Sequence, residues 1–154
     1  MKAERRQELI ARYRAGQEAV AEALTGIRDE ELDRSASGEW TPRQIAHHLA
    51  DSEMMSAIRL RRLISEDVPV LSGYDEVEFA RTLTRDRPVA PSIEAMRWAR
   101  ESSAQILERL TEDEWNRTGT HAESGPYSVE AWLEIYAAHP YDHAAQIKRS
   151  RGLA

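Results

Sequence analysis

Cysteine is absent from the 154-residue sequence. That excludes disulfides, thiolate metal sites and a cysteine nucleophile, so any metal must sit on nitrogen and oxygen ligands. Glycine and proline are scarce, at seven and six residues, which is too little punctuation for a chain of many short strands. No stretch approaches the roughly 18 apolar residues of a membrane-spanning helix. The opening Met1-Lys2-Ala3-Glu4-Arg5-Arg6 also lacks the apolar segment of a signal peptide. The expectation is a cytoplasmic protein with no membrane partner. Positive charge is in deficit, with 21 Lys and Arg against 27 Asp and Glu and a net charge of −6. Nucleic-acid binding needs clustered cations that release counterions, so a nucleic-acid partner is not expected. The one local basic run, Arg59, Arg61 and Arg62, lies beside Glu66 and Asp67 and reads as a solvated helix face.

What remains is helical. Hydrophobic residues make up 41% and charged ones 31%, enough for one core, and the length fits a single domain over residues 1–154. Apolar residues at three- and four-residue steps predict a first helix from about Ala3 to Leu24, with Leu9, Tyr13, Gly16, Val20 and Leu24 on one stripe. A short acidic turn follows at Arg28 to Leu32, then a loop from Ser35 to Gly38. Thr41 as N-cap, Pro42 at the first position and Gln44 closing a capping box start a second helix that runs to about Ser65. Its apolar contacts are assigned to Ile45, Leu49, Met55, Ile58 and Leu63. Between Glu66 and Pro91 the pattern weakens, with a short helix expected near Tyr74 to Ala80. Ser92 is the expected cap of a third helix ending near Thr111, and Thr118 to Pro126 reads as a polar loop. Ser128 caps the last helix. The fold class predicted is all-α, a four-helix bundle.

The histidines carry the chemistry. His139 and His143 are four apart, so on a helix they stack on one face with imidazoles close enough to share an ion. The segment reads His-Pro-Tyr-Asp-His and holds no Glu, so no metalloprotease base is assigned there. His48 shares the inward stripe of the second helix with Ile45 and Leu49, whereas His47 is rotated about 100° away by the helical pitch. His48 is therefore preferred over His47 as third ligand. Three neutral imidazoles suit Zn²⁺, Ni²⁺ or Fe²⁺ and leave the ion an open position. Pro140, between two of the proposed ligands, removes the amide that would bond to the Tyr136 carbonyl, so a kink is expected there. Trp98, Trp115 and Trp132 are read as core or lid anchors rather than substrate platforms.

Four segments together resemble the DinB/YfiT-like superfamily of metal-binding four-helix bundles. They are Gly38-Glu39-Trp40-Thr41-Pro42, His47-His48-Leu49-Ala50-Asp51-Ser52, Tyr74-Asp75-Glu76 and His139-Pro-Tyr-Asp-His143-Ala-Ala-Gln146-Ile147. The second and third point to the YfiT-like branch. The resemblance implies metal ligands at His48, His139 and His143, two long crossovers of unusual handedness and a homodimer. It also implies one of two reactions on a small-molecule substrate. The first, which is the main expectation, is thiol-dependent S-transfer, in which a low-molecular-weight thiol such as bacillithiol attacks an electrophile as its metal-bound thiolate. The second, the alternative, is metal-dependent hydrolysis, and for the leaving-group proton that it needs the sequence offers Tyr141, His47 or His121, with none singled out by spacing. A third, non-catalytic reading keeps the histidines as a structural staple, which would require a fourth protein ligand such as Asp51 or Asp142.

Overall fold

The computed structural model describes residues 1–36 and 38–153; Ser37, within the expected loop, and Ala154 lie outside the described residues. Among the described residues four long helices form the body: α1 (Ala3–Leu24), α3 (Pro42–Ser65), α5 (Ala90–Leu107) and α7 (Val129–Ser150). One-turn helices α2 (Asp29–Leu32) and α6 (Glu112–Trp115) precede α3 and α7, and α4 (Glu76–Thr82) lies in the long connection between α3 and α5. α1 packs on α7 and α5, and α3 packs on the same two, so α1 and α3 stand diagonally across the bundle, as do α5 and α7. The connections α1→α3 and α5→α7 therefore each cross the bundle.

The capping chemistry works as read. The Thr41 hydroxyl accepts from the Gln44 amide at 3.2 Å and the Gln44 side chain accepts from the Thr41 amide at 3.0 Å, while the Ser128 hydroxyl accepts from the Ala131 amide at 3.1 Å. Ser92 does not cap α5: the helix begins at Ala90, and the buried Ser92 hydroxyl sits 2.8 Å from His47 Nδ1 instead. The segment read as a polar loop is a hairpin of β2 (Thr118–His121) and β3 (Gly125–Ser128), with β1 (Val70–Leu71) pairing parallel to β2. The bundle thus carries a small three-stranded sheet with order β1-β2-β3. Its strands are too short to show alternation, which is why the periodicity did not reveal them.

The core is apolar at both ends and charged in the middle. One cluster gathers Tyr13, Leu60, Leu63, Trp132 and Leu133, and a second gathers Val20, Ile45, Leu49, Met96 and Ile147. Near the bundle centre, Arg100 donates to Glu53 at 2.6 Å, to the Tyr13 carbonyl at 2.7 Å and to the Tyr136 carbonyl at 2.9 Å. The Tyr13 hydroxyl closes the network on Glu53. The last Arg100 bond resolves the proline problem, because Tyr136 is the carbonyl that Pro140 leaves without an amide partner. α7 runs unbroken through Pro140, and Gly16 makes room for both groups. A Cβ at Gly16 would lie 2.4 Å from Pro140 Cγ and 2.9 Å from Arg100 Nη2.

Several surface assignments change. Arg59 is buried and donates to the Ser72 carbonyl and the Tyr136 hydroxyl rather than facing solvent. Ile58 and Trp98 are exposed at 57% and 58%, so neither is a core contact; Trp115 and Trp132 are buried as expected.

Candidate metal centre

His48 comes from α3 and His139 and His143 from α7, two helices that pack side by side. Their rings converge through the same atom. His139 Nε2 lies 3.3 Å from His48 Nε2 and 3.1 Å from His143 Nε2. Nitrogens bound about 2.0–2.1 Å from one ion lie roughly 2.9–3.4 Å apart at octahedral to tetrahedral angles, so the donor set fits a single ion. Among the described residues the cluster comprises these three histidines and no carboxylate, with ligand atoms within 4.8 Å of one another. His48 is buried and the other two are half-buried.

Electrostatics favour the metal-ready form. Burial lowers the pKa of His48 to about 4 and that of His139 to about 3, with the neighbouring imidazoles adding to both. Burial lowers His143 as well, against the pull of Gln146 and Asp142. The rings are thus neutral, as ligands must be. His143 Nδ1 lies 3.0 Å from Gln146 Oε1; as the amide oxygen can only accept, Nδ1 carries the proton and Nε2 presents its lone pair. Trp40, just before the α3 cap, walls the site, stacking parallel to the His143 ring at 6.3 Å and tilted on the His48 ring at 4.7 Å.

His47 is drawn off elsewhere. Its Nδ1 meets Ser92 and its Nε2 lies 3.3 Å from the Arg87 carbonyl, so it ties α3 to α5 and the segment before it. His121 is buried on β2 against Tyr127, with its Nδ1 accepting from the Glu123 amide. Tyr141 donates to the Arg12 carbonyl under the Arg12 guanidinium. None of these three candidate proton donors joins the cluster. Sequence reasoning missed Gln146 and Trp40 as supporting groups, although the spacing from His143 to Gln146 is the ordinary i, i+3 pairing of a helix face.

The DinB superfamily model matches residues 12–147. A "putative metal-dependent hydrolase" of Oceanobacillus iheyensis is 38% identical over 79% of this chain and 71% of its own length. A protein of the same description from Geobacillus thermodenitrificans is 32% identical over 97% and 86%. YfiT from Bacillus subtilis, described as a probable metal-dependent hydrolase with an unusual four-helix bundle topology, superposes with a TM-score of 0.91 at 24% identity, covering 100% of this chain and 91% of YfiT. A mycothiol-dependent maleylpyruvate isomerase superposes at 0.74 with 14% identity, covering 92% of this chain but 60% of the isomerase. At such identities the structural likenesses establish the fold.

Proposed function

This chain belongs to the DinB superfamily, and within it we propose a metal-dependent hydrolase of small molecules whose ion is held by His48, His139 and His143. The observation that carries the reading is the convergence of three neutral Nε2 atoms with no carboxylate among the described residues completing the set. A structural zinc is closed by four protein ligands, so a three-ligand set supports chemistry over a staple. A divalent ion there supplies a Lewis acid and lowers the pKa of bound water. The protein's own part is preorganisation: burial keeps the imidazoles unprotonated, Gln146 holds the His143 tautomer, and Trp40 excludes water from one side.

Thiol-dependent S-transfer is the second reading, supported by the fold shared with the mycothiol-dependent isomerase. The hydrolase descriptions of relatives at 38% and 32% identity weigh for hydrolysis instead. The deciding experiment starts with metal content of untagged protein beside His48→Ala and His143→Ala. About one ion per chain, lost in either variant, is expected; a metal-free wild type after reconstitution with Zn²⁺, Ni²⁺ or Fe²⁺ would overturn the site. Loaded protein is then assayed on ester and amide panels, with and without bacillithiol or mycothiol. Turnover only in the presence of thiol selects the second reading.

A further inference from the structure

The buried ion pair at the centre of the bundle joins the two helices that carry the histidines. Arg100 of α5 donates to Glu53 of α3 at 2.6 Å and to the Tyr136 carbonyl of α7 at 2.9 Å. A third bond, to the Tyr13 carbonyl of α1 at 2.7 Å, fixes the guanidinium between them. Glu53 lies five residues after His48, about 7.5 Å along the α3 axis. Tyr136 lies three residues before His139, and its ring meets the His139 ring edge-on at 6.2 Å. A second tie runs from Trp132 Nε1 of α7 to the Ser56 carbonyl of α3 at 2.8 Å. Both partners of the ion pair are almost wholly buried.

The point at which Arg100 grips α7 is set by Pro140. Standing between His139 and His143, its ring removes the one amide that would bond to the Tyr136 carbonyl, at the turn that carries both α7 ligands. An unserved carbonyl there lets a helix bend; Arg100 serves it from outside the helix. Ring and guanidinium lie side by side, since a Cβ built on Gly16 would meet Pro140 Cγ and Arg100 Nη2 alike. Stability alone is a weak reason for such a pair, because apolar residues of similar volume often hold a core as well. Metal–ligand distances, in contrast, hold to within about 0.2 Å, so a small slip of α7 against α3 would separate His48 from His139 and His143. Resting on the metal site of the hydrolase reading, we infer that Arg100 is a positioning residue for that site. It takes the place of the amide that Pro140 lacks and, anchored to α3 through Glu53, holds the ligand-bearing turn of α7 at the spacing from His48 that one ion requires.

The test uses full-length protein and Co²⁺, whose affinity is read by competition with a coloured chelator and whose visible absorption follows ligand geometry. Arg100→Lys keeps a charge for Glu53 but gives up the planar fork that reaches two acceptors. Its Co²⁺ affinity should fall about tenfold or more, the scale of losing a group that orients a metal ligand, and its visible band should shift. Adding Pro140→Ala returns an amide to the Tyr136 carbonyl and should restore both affinity and band, a rescue that a general loss of stability does not predict. Leu107→Ala, which empties a buried core position of the same helix, should lower the urea midpoint yet bind Co²⁺ like the wild type. Should Arg100→Lys fail to fold, Arg100→Met combined with Glu53→Met, which strands no charge, takes its place with the same expectations. Wild-type affinity in the Arg100 variant, no rescue by Pro140→Ala, or an equal loss in Leu107→Ala overturns the inference while leaving the metal site standing. A wild type that takes up no Co²⁺ removes the site and the inference with it.

Discussion

At the scale of the residue, what distinguishes the three converging histidines is the cost of charging them. In the unfolded chain each takes up a proton near pH 6.5, whereas in the fold His48 and His139 stay neutral down to about 4 and about 3. The unfolded state binds more protons in that interval, so stability rises with pH there and is lost as pH falls. Chelator-treated protein should therefore show a urea midpoint that drops between about pH 6.5 and 4, and His139→Gln should flatten the profile. A flat wild-type profile would contradict the burial argument. Gln146 offers a milder probe: Gln146→Ala leaves all three ligands in place but frees the His143 tautomer. Its metal affinity, measured by competition with a coloured chelator, should fall about 10-fold or more. Much of this scale was legible beforehand. Helical phase separated His48 from His47, because the pitch alone turns adjacent residues onto different faces. Arg59 was not legible, since its partners, the Ser72 carbonyl and the Tyr136 hydroxyl, come from other elements.

Among the elements, α7 depends on its neighbours to tolerate Pro140. The Tyr136 carbonyl that lacks an amide is satisfied by Arg100 from α5, and the pyrrolidine ring fills the space beside Gly16 of α1. Gly16→Ala should destabilise by about 1–3 kcal/mol through overpacking, even though helix propensity alone would favour Ala by about 1 kcal/mol. On a Pro140→Ala background the same change should cost less, and a double-mutant cycle by chemical denaturation measures the difference. Equal costs on the two backgrounds would refute the contact. Arg100 and Glu53, 1% and 2% exposed, form a buried ion pair, so Arg100→Met should cost about 3–5 kcal/mol by stranding the Glu53 charge. Glu53→Met on top of it should recover much of that loss, because replacing both charges removes the stranded one. The extents of α1 and α3 and the N-caps of α3 and α7 followed from the order of residues, as they rest on contacts within a turn, whereas the α3 stripe failed at the exposed Ile58. The hairpin did not, since its pairing is made between strands too short to carry a pattern.

For the whole molecule, the proposed ion would be linked to the fold, because His48, His139 and His143 lie on α3 and α7 and come together only when those helices pack. A ligand bound to the folded state alone stabilises it by about 2.7 kcal/mol at a hundredfold excess over Kd. Chelation should accordingly lower the melting temperature by several degrees, re-addition of the metal should restore it, and His143→Ala should melt at one temperature with or without metal. Responses to chelation that are alike in wild type and variant would mean the ion binds elsewhere. The order of amino acids by itself determined the helical class, the capped starts of α3 and α7, the stacking of His139 and His143 on one face of α7 and the exclusion of thiolate chemistry within the chain, because each rests on residue type or on spacing along one helix. Only the tertiary structure decided the diagonal order of the helices, the meeting of His48 with His139 and His143, the Arg100 bond that rescues the proline-interrupted helix, and the small sheet. These depend on which distant segments meet, and in a packed core that is settled by the fit of all the surfaces at once.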